Sequence, residues 1–395
     1  MIPSRFTNLP AARARFGDRV DRLAPFLLRV DPLADAAIEA MAGIERGGGF
    51  ALLERMLERS EVDPAAPAAL RTFIEETARV PAWVDWPTID RAGDVLHRGG
   101  MLGGLVLGAM SLPLGYAAPA GNKPLVFSGR LTEQAPRRLS ETSRFVQAVA
   151  LPHGMRRGAD GFRITLKVRI MHAHVRRMLL RSGKWDESRW GAPINQHDMA
   201  ATTLLFSAVL LEGLRKFGLV IEREEAERYM QLWRYVGYLS GVDTELLPAS
   251  EMEGIQLGNL IQATQGPPDD DSRALVKALV DSPLAAARTE RQMREARVRA
   301  KMGRGLVRQL VGADLADQLG IGPTPWEHVM AVFRTAGVLG DRASRFSPRV
   351  REKAVSAGAR YWDEVVRLGL SGGPYEFRPQ DRLGRPPGGE RPHAA

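Results

Sequence analysis

Residues 161–180 place two histidines among arginines and apolar side chains, a mixture that can support chemistry. On a helix, residues three, four and seven positions apart share one face, so Arg169, His172 and Arg176 line up. The side chains that flank this row are apolar: Val168, Val175 and Leu179. His174 falls on a polar, basic flank of the same helix, so His172 is the histidine that faces an apolar wall.

A haem site requires this combination of residue types. A neutral imidazole ligates the iron, apolar side chains cover the macrocycle, and guanidinium groups pair with the two propionates. The spacing alone does not decide, because it also fits a core histidine with an ordinary hydrogen bond and arginines that face water. A two-histidine zinc site fits less well, since His172 and His174 stand two positions apart rather than four.

A second row of polar side chains lies in the segment 137–149. Helical spacing puts Arg138, Glu141, Thr142 and Phe145 on one face. Polar groups that interrupt a core-facing row cost free energy unless they pair with each other or serve a site. Contacts of Arg138 with Glu141 or with Thr142 inside the helix are the alternative explanation.

Composition excludes several classes of function. The chain has 395 residues, of which 44% are hydrophobic and 26% charged, as is ordinary for a globular protein. It has no cysteine, which excludes disulfides, thiolate ligation of haem, cysteine-bound iron–sulfur clusters and cysteine nucleophiles. No glycine-rich loop follows a strand and opens a helix, so a nucleotide site is not expected.

The positive charge of the chain is concentrated toward its C-terminus. Basic residues exceed acidic ones by nine. Seven basic residues lie between Arg288 and Arg304, both included, and a basic tail covers 378–391. Aromatic residues are sparse in both stretches, so no stacking surface for single-stranded nucleic acid is visible. We expect a solvated helix face and a flexible tail, with no nucleic-acid partner; peripheral contact with a membrane stays open.

No targeting or membrane-spanning segment is recognised. The first residues lack an apolar stretch followed by a small-residue cleavage site. The most apolar run, from Met101 to Tyr116, is interrupted by glycine and proline and is shorter than the roughly 20 residues that span a bilayer. We therefore expect a cytoplasmic protein.

Helical spacing recurs along almost the whole chain, and alternating strand patterns are nearly absent. The sequence predicts an all-α fold with one helical domain, since no long linker divides the middle. We expect a helical extension over 1–85, a core over 86–265, C-terminal helices packed on the core over 266–370 and a disordered tail over 371–395.

Local signals refine this picture. Asn195 is expected to cap the helix that follows it, and Gly213 is expected to let a second helix approach closely. His197, beside the cap, is expected to make local hydrogen bonds, and residues 116–131 are expected to form an irregular loop. The predicted helices cover 31–41, 49–60, 67–78, 87–99, 136–150, 161–182, 197–217, 223–240, 250–264, 271–280, 284–302, 306–319, 326–336 and 347–368.

Six short segments occur in an order and at a spacing typical of one known family. They read SGRL (128–131), RLSET (138–142), VRIMHAHVR (168–176), GAPINQHD (191–198), LWRYVG (232–237) and LLP (246–248). Over about 113–248 the chain resembles the latex-clearing proteins, which are bacterial rubber oxygenases, and the fungal MpaB-type oxygenases. The resemblance implies a helical, globin-like core that binds haem b, with His172 as the proximal ligand of the iron.

The resemblance also assigns the residues around the haem. Arginines near the family's proximal histidine match Arg169 and Arg176, and its distal arginine and threonine match Arg138 and Thr142. Rubber-cleaving members carry a lysine that can occupy the sixth position of the iron. This chain has Glu141 there, so we do not expect a lysine-closed state.

The implied reaction is the oxidative cleavage of a carbon–carbon double bond to two carbonyl products. Arg138 and Thr142 would polarise dioxygen, and Glu141 would act as a general base on an allylic proton. Without a recognised export signal, a smaller unsaturated isoprenoid or lipid is a better candidate substrate than polyisoprene. Two other classes stay open: a haem or dioxygen carrier without this chemistry, and a basic helical protein that binds membranes or nucleic acid through 288–304.

Overall fold

The computed structural model describes residues 2–44, 48–128 and 135–369. These ranges are helical, without a strand, which confirms the predicted all-α class. The motif residues 129–131 and the tail 371–395, predicted to be disordered, lie outside the described residues. The first five helices, α1 to α5, are Leu9–Phe16, Arg19–Leu23, Pro32–Ala42, Gly48–Arg59 and Ala68–Ala78, with a 3-10 turn over Ala24–Leu27.

The middle of the chain forms helices α6 to α17. They are Trp86–Asp90, Asp94–Gly99, Met101–Val106, Leu112–Tyr116, Lys123–Ser128, Ala135–Ala150, Asp160–Arg181, Glu187–Trp190, Gln196–Phe206, Ala208–Lys216, Arg223–Leu239 and Glu251–Ala263. A π-helical turn, Leu107–Ser111, joins α8 to α9, and a 3-10 turn covers Thr244–Leu246.

The C-terminal part forms helices α18 to α23. They are Asp270–Val280, Ser282–Ala286, Glu290–Val311, Ala313–Gln318, Val329–Phe346 and Pro348–Gly369, with a 3-10 turn over Pro325–His328. The boundaries proposed for the extension, the core and the C-terminal helices stay a prediction.

Helix α12 runs through the centre of the molecule and packs on α3, α10, α11 and α16. Local sequence determines how several neighbouring helices begin. The Asp31 side chain caps α3 by accepting a hydrogen bond from the backbone of Ala34. Asn195 caps α14 by accepting one from the backbone of Asp198, so the predicted cap is confirmed. These caps place the turns that lead into the helices around α12.

Two local predictions differ from the structure, the first because of tertiary ion pairs and the second because of a local break in the helix. The stretch expected to be an irregular loop contains α10, which Lys123 anchors through Asp269 (2.7 Å) and through Asp271. The single helix predicted over 197–217 is broken at Ser207, whose backbone leaves the helical region and whose hydroxyl donates to the Thr203 carbonyl at 2.9 Å.

A third difference concerns the basic segment. Two helices were predicted over 284–302 and 306–319, but the structure has no break between 302 and 306. Helix α20 continues through Gly303 and Gly305 to Val311, and the short helices α19 and α21 precede and follow it. A Cβ at Gly305 would overlap the backbone of Trp326, so this glycine serves a close approach of two chain segments rather than a helix end.

Glycines also permit two close helix contacts in the core. A Cβ at Gly213 would overlap the Val106 side chain, so the close approach expected at Gly213 is confirmed. A Cβ at Gly358 would overlap the carbonyl oxygen of His97, where α23 lies directly against α7. Beside this contact, the Gln147 amide bonds to His97 (3.2 Å) and to Asp363 (2.8 Å).

In the described ranges, no one helix has both the length and the apolar character that crossing a bilayer demands. The pair Trp86–Gly99 and Met101–Tyr116 satisfies that test jointly, with a bend of 85° between its two parts.

Replacing Gly358 with alanine should test the contact of α23 with α7. We expect the free energy of unfolding to fall by about 1–3 kcal/mol, because the new methyl group overlaps a main-chain carbonyl that cannot move freely. Urea denaturation followed by circular dichroism measures the change. The matched control is Gly340→Ala on α22, where an added Cβ meets no heavy atom within 4 Å and stability should stay level or rise by up to ~1 kcal/mol. Equal effects of both substitutions would contradict the close approach.

Candidate functional site

The site is organised by α12, whose apolar face is buried in the core. Asp160 in its first turn and Arg181 in its last complement the helix dipole. Ile170 and Ala173 are fully buried on either side of His172. This packing fixes the rotation of α12, and with it the direction in which His172 points.

His172 is half-buried, and one of its ring nitrogens lacks a hydrogen bond. Its Nδ1 atom is buried and has no partner among the described residues. Burial lowers the pKa of His172 to about 4, and the positive charges of Arg176 and Arg138 add to this effect. The ring is therefore neutral at physiological pH, which is the form that ligates metals.

The two arginines on the same helix lie where the helical spacing puts them, but acidic residues of α3 already hold them. Arg169 makes a bidentate pair with Asp31, with Nε–Oδ2 and Nη2–Oδ1 distances of 2.6 and 2.8 Å. Arg176 pairs with Asp35 and donates to the carbonyls of Pro193 (3.0 Å) and Ile194 (2.9 Å). A propionate would have to share these donors.

Asp31 and Asp35 were not predicted from the sequence as partners of these two arginines. The spacing could have indicated the pairing. Two carboxylates four positions apart share one face of α3, and two arginines seven positions apart share one face of α12. The pairs hold α12 against α3, so these arginines position the helix that carries His172.

Helix α11 packs on α12 and carries the second predicted row. The charge of Arg138 helps to lower the pKa of His172. Burial raises the pKa of Tyr116, and Arg138 partly opposes that rise as well. Arg138 therefore acts electrostatically on His172 across the packed helices α11 and α12.

The contacts expected within α11 are only partly observed. Glu141 accepts a hydrogen bond from the Arg137 Nε atom at 3.1 Å, so the Arg138–Glu141 contact, one of the two alternatives considered from the sequence, is replaced by a pair with the exposed Arg137. Thr142 donates its hydroxyl proton to the carbonyl of Arg138 at 3.0 Å, which is the intrahelical contact considered from the sequence.

Beyond α11 lies an apolar cavity of about 360 Å³, here called the C-terminal cavity. Helices α20 and α23 close one side of it, and the α8–α9 region and α11 close the other. Its wall includes Leu105, Gly108, Leu139, Thr142, Leu306 and Trp362. Thr142 is therefore the predicted site residue that reaches this space.

A second cavity, of about 590 Å³, lies between α9, α14, α17 and α21. Its wall includes Asp198, which Arg5 holds through two contacts of 2.7 Å. His197 bonds to Asp198 at 3.2 Å, as expected for a residue that makes local hydrogen bonds. Among the described residues that line these two cavities, neither wall includes His172, Arg138 or Glu141.

Within the described ranges, no group of three or more histidine, aspartate or glutamate side chains could hold a metal ion. A haem iron needs one axial protein ligand, because the porphyrin supplies the other four donors. The orphaned Nδ1 atom and the neutral ring of His172 fit that requirement.

These features define an all-helical protein with a neutral, half-buried histidine on α12 and an apolar cavity behind the neighbouring helix. The sequence pattern described as the catalytic domain of ER-bound oxygenase mpaB/B' and rubber oxygenase matches residues 94–340. The chain belongs to this family and is an oxygenase. The resemblance inferred from the short segments is confirmed, over a longer stretch than they cover.

Two similar proteins agree with this assignment. The rubber oxygenase of Streptomyces sp. (strain K30) is 25% identical over an alignment of 316 positions, which covers 75% of this chain and 71% of that protein. The solved structure of latex clearing protein LCP in the closed state superposes with a TM-score of 0.67 at 20% identity, covering 85% of this chain and 91% of that one. The second likeness establishes the shared helical fold.

Replacing Asp31 with asparagine should test the ion pair that positions α12. Asparagine still caps α3, but the buried Arg169 loses its counter-charge, so we expect the free energy of unfolding to fall by about 3 kcal/mol. Urea denaturation measures the loss. Asp21→Asn is the control, since the Arg13–Asp21 pair is exposed and its removal should leave stability nearly unchanged. A loss at Asp31 no larger than at Asp21 would contradict the positioning role.

Proposed function

We propose that this oxygenase depends on haem b, held through His172, and cleaves a carbon–carbon double bond of an apolar unsaturated isoprenoid or lipid. The observation that carries the proposal is the state of His172. The ring is neutral, its Nδ1 atom is buried without a partner among the described residues, and it lies on α12, which packs on α3, α10, α11 and α16. The residue also matches the proximal histidine of the family that the chain resembles.

Several residues of the chain suit the group. His172 would hold the iron, and the half-buried Val168 and Val175, which lie beside it on the same helix face, would cover part of the macrocycle. The haem would supply the redox-active iron on which dioxygen reacts with the double bond. Arg169 and Arg176 match the family's arginines and would lie near the propionates, although both are bonded to carboxylates of α3 here.

The residues of α11 would then act on the reactants. Arg138 presents a positive charge toward His172, and no carboxylate of the described ranges pairs with it. A guanidinium in that position stabilises negative charge that develops on oxygen. Thr142 already donates its hydroxyl proton to the Arg138 carbonyl. Its oxygen can still accept a hydrogen bond, but the hydroxyl group must rotate before it can donate one to another partner.

Glu141 is the residue we propose as the general base. Its carboxylate is partly exposed and accepts a hydrogen bond from the Arg137 Nε atom at 3.1 Å. It would remove an allylic proton from the substrate while Arg138 and Thr142 orient dioxygen. The apolar wall of the C-terminal cavity, which reaches Thr142, supports an apolar substrate.

Replacing His172 with alanine should abolish the Soret band of the purified protein, since the iron loses its only protein ligand. Visible absorption and a pyridine haemochrome assay measure the haem content. His174→Ala is the matched control, because His174 lies two positions away and packs its ring edge-on against Phe50 at 5.5 Å between centroids. Full haem retention in the His172 variant would overturn the ligand assignment.

Replacing Glu141 with glutamine should slow turnover by about 10²-fold or more while leaving the haem content unchanged, because the amide cannot accept the allylic proton. Oxygen uptake with squalene and with oleate measures the rate. Glu224→Gln is the control, since Glu224 forms an exposed pair of the same i,i+4 type with Arg228, remote from α11. An unchanged rate in the Glu141 variant would remove this residue from the mechanism.

A further inference from the structure

We propose that the C-terminal cavity binds an anionic, long-chain unsaturated amphiphile, with its carboxylate at Arg299 and its chain directed toward Thr142. The binding claim stands on the cavity itself. The claim that this ligand is a substrate rests on the proposed function. The two claims are therefore tested by separate measurements.

The wall of the cavity is apolar except at one place. Leucine, valine, glycine, alanine, methionine and aromatic side chains make up most of it, with the hydroxyls of Thr142, Ser143 and Ser282 as minor polar points. Among the described residues of the wall, Arg299 is the one charged side chain. An apolar space with a single cation matches an apolar chain that ends in a single negative charge.

The exposure of the wall residues gives the cavity a direction. Arg299 and Met101 lie at the solvent end, with 69% of the Arg299 side chain and 46% of Met101 exposed. Leu306 and Val307 lie at the inner end and are 2% and 1% exposed. A ligand can therefore keep its charged head near water while its chain is desolvated.

Three glycines create the space. Gly104, Gly108 and Gly303 lie on the wall, and a Cβ at Gly108 or Gly303 meets no heavy atom within 4 Å. Gly108 belongs to the π-helical turn, an element that interrupts regular packing and is frequent at functional sites. A larger side chain at these positions would extend into the cavity without displacing backbone.

Arg299 is weakly engaged within the protein. Its ion-pair partner is Glu295 at 3.7 Å, and Glu295 also bonds to Arg291 at 3.2 Å. The guanidinium therefore keeps donors for a ligand carboxylate. One cation suits a monoanion better than a diphosphate, which would need several cations or a metal ion.

The inner wall has an unused donor as well. Trp362, which is 2% exposed, has its Nε1–H group buried with no partner in the described ranges. A buried donor without an acceptor costs about 1–3 kcal/mol, and an oxygen of a bound ligand or water would remove that cost. Trp362 also provides a fluorescent reporter on the wall.

Oleate and its uncharged analogue oleyl alcohol are the probes for the test. Each is titrated, below its critical micelle concentration, into the full-length protein, and the dissociation constant is read from tryptophan fluorescence and calorimetry. We expect Arg299→Gln to weaken oleate binding about tenfold and to leave oleyl alcohol unaffected, because one charge-assisted contact is lost. Arg297→Gln, which removes an exposed charge of the same helix away from the wall, should change neither.

Blocking the cavity gives the second arm. Gly303→Leu should weaken both probes at least tenfold without lowering the unfolding temperature, since leucine favours a helix over glycine and meets open space. Gly340→Leu on α22 is the matched control and should bind both probes normally. The proposal is overturned if the Arg299 and Arg297 variants lose oleate equally, or if Gly303→Leu binds both probes like the wild type.

The reaction arm separates the substrate claim from the binding claim. With haem-loaded protein and dioxygen, cleavage of oleate breaks the carbon–carbon double bond and the oxygen–oxygen bond and forms nonanal and 9-oxononanoate. Appearance of both aldehydes, and their loss in Gly303→Leu, supports the substrate claim. If both binding experiments give the expected results but neither aldehyde appears, the proposed function is contradicted and the cavity assignment stands.

Discussion

The ion pairs between α3 and α12 are the interaction on which the site depends. Asp31 and Asp35 meet Arg169 and Arg176 where both helices are largely buried, and the pairing fixes how far α12 is rotated about its axis. Burying such charges is costly, and the cost is offset only because each guanidinium is also bonded to backbone carbonyls. These pairs fix the orientation of the helix face that holds His172 between the two arginines.

This arrangement explains which parts of the site the sequence could predict. The shared face of Arg169, His172 and Arg176 follows from helix geometry alone, and so do the Asn195 cap and the close approach at Gly213. The partners of the arginines lie more than 130 residues away in the chain, and no local pattern joins them. The neutral state of His172 could be expected from its apolar neighbours, but the role of Arg138 in it could not.

The misplaced elements have the same cause. Helix α10 forms in a stretch rich in turn residues because Lys123 reaches two aspartates of the C-terminal part. The glycines of α20 lie where the break between two helices was predicted. Instead, Gly305 allows a neighbouring backbone to approach closely, and Gly303 borders the C-terminal cavity. Arg299 was one member of a basic run in the sequence, and it is as exposed as its neighbours on that run. Its position on the wall of the C-terminal cavity depends on helices distant in the chain, which only the folded structure brings together.

Helix α11 lies between the two parts of the proposed site, His172 and the C-terminal cavity, since its residues border both. Arg138 faces His172, whereas Leu139, Thr142 and Ser143 face the C-terminal cavity. Thr142 is bonded to the carbonyl of Arg138, so the residue that reaches the cavity is tied by one hydrogen bond to the residue that faces the histidine. The hydrogen bond from Thr142 to the Arg138 carbonyl is thus the direct link along α11 between the wall of the cavity and the residue whose charge acts on His172, so a change at position 142 affects both sides of this helix.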